Sequence, residues 1–116
     1  MGRHWITYAF RNRSAVTCTL SGVPVVQLLD AHGGVLPTGL PGGGPGTTGP
    51  VVRLRPGAAA FFSIGELLAP DYDGQPCPAA ATLAVTPPHR RQALTIPATI
   101  APCGGRLWMT PVRPTA

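Results

Sequence analysis

Val51-Val52-Arg53-Leu54-Arg55-Pro56-Gly57-Ala58-Ala59-Ala60-Phe61-Phe62-Ser63-Ile64 is the segment from which the fold is best read. Val52 and Leu54 alternate with Arg53 and Arg55, which gives one apolar and one charged face at the two-residue period of a strand. Pro56-Gly57 follows in type II order, with Pro presetting φ at i+1 and Gly supplying the positive φ at i+2. Ala58 to Ile64 then reads as a returning strand. The segment predicts two strands joined as a β-hairpin.

The same grammar extends in both directions. In residues 4–12, Ile6, Tyr8 and Phe10 share one face, and Asn12-Arg13-Ser14-Ala15 marks a turn. Val16 to Leu20 and Val25 to Leu29 are short apolar runs separated by Gly22 and Pro24. Asp30-Ala31-His32-Gly33-Gly34 reads as a hairpin turn in which Gly supplies positive φ. Downstream, Ala80 to Thr86 places Leu83 and Val85 on one face, Ala93 to Pro97 points Leu94 and Ile96 inward, and Arg106 to Val112 ends the pattern. Glu66 to Ala69 has room for one helical turn, which Pro70 stops. Eight short strands in 116 residues predict an all-β, immunoglobulin-like antiparallel β-sandwich of about seven to eight strands, formed as one domain over residues 1–116.

Composition agrees. Fifteen Gly and fifteen Pro residues suit turns joining short strands, because Pro lacks an N–H and Gly loses entropy inside a helix. Apolar residues are 44% of the chain, too many for a disordered polar segment. The net charge of +5 comes from nine Arg, with no Lys, against four acids. The arginines are scattered and lack interleaved aromatics, so no nucleic-acid partner is expected. No apolar run reaches membrane-spanning length, and the N-terminus has no signal-peptide pattern.

Residues 37–50, Pro-Thr-Gly-Leu-Pro-Gly-Gly-Gly-Pro-Gly-Thr-Thr-Gly-Pro, form a low-complexity stretch expected to be an exposed, flexible loop inside the domain. It is not a phosphate-cradling loop, because that motif closes with Gly-Lys-Ser/Thr and the chain has no Lys. Asp71-Tyr72-Asp73-Gly74 carries two carboxylates of a cation loop, but Gln75-Pro76-Cys77 follows where further oxygen ligands are needed, so an Asx turn is expected. His4, His32 and His89 lack metal-ligand spacing. Ser14, Ser21 and Ser63 lie outside any Gly-x-Ser-x-Gly elbow, and Asp30, Glu66, Asp71 and Asp73 do not form an evident acid–base pair. No catalytic residue, metal ligand or cofactor site is assigned. Asn12-Arg13-Ser14 matches a glycosylation sequon, which matters in a eukaryotic secretory context.

Cys18, Cys77 and Cys103 imply one disulfide and a leftover thiol, or three free buried thiols. Cys18–Cys77 is the expected bridge, worth about 4 kcal/mol in a chain-entropy account, and Cys77–Cys103 is the alternative. Disulfides persist in oxidising compartments.

Several phrases, taken in order, resemble one family. They are Phe10-Arg11-Asn12-Arg13-Ser14, then Cys18-Thr19-Leu20-Ser21-Gly22-Val23-Pro24 with Val26-Gln27-Leu28-Leu29-Asp30. Leu54-Arg55-Pro56-Gly57 with Ala60-Phe61, Cys77-Pro78, Val85-Thr86-Pro87-Pro88 and Cys103-Gly104-Gly105 follow. Together they resemble an actinobacterial secreted or lipoprotein family, the domain-of-unknown-function family numbered 4232. The resemblance implies an immunoglobulin-like sandwich, export to the cell envelope and no established activity. It also implies a further strand and Cys upstream, so a missing first strand and export signal are expected here, with Cys103 unpaired. A first strand lacking that neighbour is an open edge that invites self-association. The expected role is a non-catalytic binding or adhesion module with an envelope or protein partner, or else a structural spacer. The expected contacts lie on end loops, through Thr38, Leu40, Thr47, Thr48, Asp71, Tyr72, Asp73, His89, Arg90 and Arg91.

Overall fold

The structure, a computed structural model, describes residues 3–36, 39–42, 49–67, 81–98 and 106–116. Those residues are all-β. The strands are β1 (Arg3–Arg11), β2 (Cys18–Leu20), β3 (Val25–Leu29), β4 (Val35–Leu36) and β5 (Gly39–Gly42), followed by β6 (Val52–Leu54), β7 (Ala59–Leu67), β8 (Thr82–Thr86), β9 (Leu94–Pro97) and β10 (Arg106–Met109). They form a four-stranded sheet in the order β1-β7-β10-β5, a two-stranded ribbon β2-β6 and a second four-stranded sheet β4-β3-β8-β9. Pairing is antiparallel except between β10 and β5, which run parallel.

The inner faces of all three feed one core. β1 contributes Phe10, β7 contributes Ala60, Phe62 and Ile64, and β10 contributes Leu107 and Met109. Val26, Leu28, Leu83 and Val85 come from the facing sheet, and Leu20, Val52 and Leu54 from the ribbon. The expected alternation therefore holds in β1, β6 and β8. In β1 it turns Trp5, Thr7 and Ala9 to the outer face, with Ile6, Tyr8 and Phe10 packed on the core. Phe62 stacks on Tyr8 and Phe10 with ring centroids 5.5 and 5.0 Å apart. Such pairs add modestly to the burial of their area.

The Asp30–Gly34 turn closes a true hairpin between β3 and β4. The Asp30 carboxylate accepts the His32 and Gly34 N–H groups at 2.8 Å each, and Gly33 has φ +81°. The Pro56-Gly57 turn also forms as expected. The Ala58 N–H donates to the Arg55 carbonyl at 2.9 Å, and Gly57 has φ +85°. Its flanking strands, however, do not make the predicted hairpin. β6 pairs with β2, whereas β7 pairs with β1 and β10. A type II turn does not match the right-handed twist of a two-stranded ribbon, so it splays the strands it joins. Here it carries the chain from one sheet to another, held by the Asn12 N–H to the Ala58 carbonyl and the Gly57 N–H to the Asn12 carbonyl.

Other expectations are corrected. Glu66 lies in β7 opposite His4, not in a helical turn, because pairing with β1 continues to Leu67; Leu68 and Ala69 lie outside the described residues. Gly39 to Gly42 form β5 inside the stretch expected to be a loop. Gly and Pro are tolerated there because β5 is the last strand of its sheet. Leu94 and Ile96 face inward as expected, opposite the core residues Val85 and Leu83, but are not buried. They stay 53% and 40% exposed, since β9 ends its sheet and shares only a small apolar gap with Tyr8, Phe62 and Val85.

Candidate functional site

The outer face of the β1-β7-β10 sheet holds an arrangement that no single motif announces. Gly65 of β7 pairs with Trp5 on one side and with Trp108 on the other. Leu107 and Met109 point into the core, so the alternation of β10 places Trp108 on the same outer face as Trp5. These are the only two tryptophans in the chain. A Cβ built on Gly65 would lie 3.0 Å from each of Cε2, Cε3 and Cη2 of Trp5. Those are alternate atoms of the six-membered ring, so the indole lies flat with its centre over the glycine. Covering a strand glycine with an aromatic ring repairs a weak point in a sheet. Trp5 nonetheless remains 47% exposed, which leaves an aromatic surface at the solvent.

Beside it the chain returns through Thr110 to Arg113. The Arg113 N–H and carbonyl exchange backbone hydrogen bonds with Phe61 at 2.7 and 2.8 Å. Its Nη1 donates to Thr110 Oγ1 at 2.9 Å and its Nη2 to Ser63 Oγ at 2.8 Å. Thr110 Oγ1 also accepts the Ser63 N–H at 2.8 Å, and Ser63 Oγ lies 3.0 Å from Thr7 Oγ1. Strand alternation directs Ser63 outward, and the guanidinium covers it. The result is a cation held in a fixed orientation by two hydroxyls. Among the described residues no carboxylate pairs with it. Trp5, Pro50, Ser63, Thr110, Pro111 and Arg113 line an open cleft of about 490 Å³, within the usual size range of small-ligand sites.

At the end of the same strands His4 Nδ1 lies 3.3 Å from Glu66 Oε2. Glu66 is buried near Tyr8. Burial pushes the Tyr8 phenol above its ordinary pKa of 10.0, and the Glu66 charge adds to the shift.

Of the residues expected at end loops, the described ones are Leu40, His89, Arg90 and Arg91. His89, Arg90 and Arg91 are exposed at the β8–β9 turn. His89 adopts φ +59° there, and Arg90 Nη2 donates to the Thr19 carbonyl at 3.2 Å. Leu40 lies in β5. Thr38, Thr47, Thr48, Asp71, Tyr72 and Asp73 lie outside the described residues. So do Cys77 and Cys103; Cys18 is a half-buried thiol at the start of β2. Among the described residues no three His, Cys, Asp or Glu side chains converge as metal ligands. The sequon is occupied by structure. Asn12 is buried, its Nδ2 donates to the Val16 and Leu54 carbonyls at 2.8 and 2.9 Å, and its Oδ1 accepts from Ser14. A glycosyl transferase needs that Nδ2 free.

The reading by sequence missed Trp5, Ser63, Gly65, Trp108, Thr110 and Arg113 as a group. One signal was available: the register that turns Ile6, Tyr8 and Phe10 inward turns Trp5 outward. The junction with Arg113 depends on long-range pairing. Residues 1–113 match the family described as a domain of unknown function (DUF4232). No curated protein and no solved structure matches the chain.

Proposed function

The chain belongs to the DUF4232 family, and from that premise we propose a non-catalytic binding module whose contact surface is the outer face of the β1-β7-β10 sheet. The observation that carries this reading is the Trp5 indole, seated flat on Gly65 and open to solvent, beside a guanidinium fixed by Ser63 and Thr110. A large exposed aromatic next to preoriented donors is the usual chemistry of a recognition surface. A spacer without a ligand has no use for that cation, so binding is preferred over a purely structural role. We place the module at the cell envelope, outside the cytoplasm, on the three cysteines and on the resemblance of its sequence phrases to an exported family. An immunoglobulin-like arrangement, implied by the resemblance, is part of this proposal, and the order β4-β3-β8-β9 of one sheet supports it.

Co-sedimentation of the purified chain with an envelope preparation tests the assignment. Trp5→Ala and Arg113→Gln are expected to lower the bound fraction severalfold, whereas Arg91→Ala on the β8–β9 turn leaves it unchanged. Equal retention of the wild type and the first two variants would remove the sheet face as the contact surface.

A further inference from the structure

We infer that the cleft binds an acidic saccharide, with the apolar face of a sugar ring on the Trp5 indole and the sugar carboxylate on the Arg113 guanidinium. The inference rests on the sheet face being the binding surface and adds the chemistry of the ligand.

The geometry of Trp5 sets the shape of what it can contact. One face of its ring is closed by Gly65 and the other looks outward. A flat apolar surface of that size selects a ligand with a flat apolar face, and the C–H face of a pyranose is one.

Arg113 sets the charge. A guanidinium has five N–H groups. Two are taken by Thr110 and Ser63, which fixes the plane and leaves three as donors. A planar carboxylate matches such a head, and the hydrogen bond between two charged groups is of the stronger kind. Because the head is already oriented, little rotamer entropy is lost on binding. Among the described residues lining the cleft Arg113 is the only charged one, which suits a singly charged carboxylate better than a polyphosphate. The net charge of +5 adds a general attraction for anions that salt screens.

The test is a calorimetric and tryptophan-fluorescence titration of the full chain with three probes. They are a glucuronate-containing tetrasaccharide, its carboxyl-reduced neutral analogue and a proline-containing tripeptide with a free C-terminal carboxylate. Both tryptophans flank Gly65, so fluorescence reports on the site directly. The acidic saccharide is expected to bind saturably, and at least about tenfold more tightly than the neutral analogue. Affinity should fall as ionic strength rises. Arg113→Lys, which keeps the charge but loses the planar head, should weaken binding about tenfold or more. Gly65→Ala, whose new methyl displaces the indole from beneath, should weaken it without lowering the thermal midpoint. Equal affinity for the neutral analogue, tighter binding of the tripeptide, or an Arg113→Lys variant that binds as the wild type does would each overturn the inference. If no saccharide binds while envelope co-sedimentation still requires Trp5, the ligand class fails and the binding face stands. If co-sedimentation is indifferent to Trp5, the face fails as well.

Discussion

At the scale of the residue, Asn12 shows how one polar side chain fixes a junction. Its buried amide spans two carbonyls and a turn, and no carbon side chain reproduces that set. Asn12→Ala removes the side-chain donor of the Leu54 carbonyl and the acceptor of the Ser14 N–H, while the Val16 carbonyl keeps Ser14 Oγ. A cost of about 2–3 kcal/mol is expected from lost and unsatisfied hydrogen bonds. Urea unfolding measures it, and a change within about 0.5 kcal/mol, as at an ordinary surface site, would contradict the account. Tyr8 gives a pH signature. Its folded-state pKa is raised by burial and then by Glu66, so the fold favours the neutral phenol. The stability this group contributes is fully present below its unfolded pKa of roughly 10 and is lost as pH rises through the higher folded value. Urea midpoints followed upward from pH 9 should fall less steeply in Tyr8→Phe than in wild type. Parallel curves would show that Tyr8 is not responsible.

At the scale of the element, the legible and illegible parts separate cleanly. Alternation located all eight expected strands, because an apolar face must meet the core wherever the strand is placed. What alternation does not encode is the partner. Pro56-Gly57 was legible as a turn, but the destination of β7 depends on β1 and β10, distant in the chain. β5 was illegible because Gly39-Leu40-Pro41-Gly42 lacks strand propensity, and pairing with β10 overrides it. The inward reading of Leu94 and Ile96 holds for direction, and the end position of β9 in its sheet leaves both partly exposed. It follows that Leu94→Thr should cost less than about 1 kcal/mol, whereas Leu28→Ala, at a fully buried position of β3, should cost about 2–5 kcal/mol. Chemical denaturation of the two variants compares them directly. A loss at Leu94 as large as that at Leu28 would mean that β9 is covered.

At the scale of the whole molecule, two sheets and a ribbon share one core, and the functional reading rests on the side of the first sheet that faces away from it. None of the candidate residues there is unusual alone. Their meaning comes from register: Trp5 and Trp108 opposite one glycine, and Arg113 brought by the Phe61 pairing onto Ser63. That is why the core was largely legible in the sequence and the candidate site was not. The most direct measurement is an amide and indole NMR titration of the isotopically labelled chain with the acidic tetrasaccharide. The account predicts saturable shifts at the Trp5 indole N–H and at the Ser63, Gly65 and Thr110 amides, with the β8–β9 turn unmoved. Shifts confined to residues 87–92, or none on the outer face of the sheet, would contradict it.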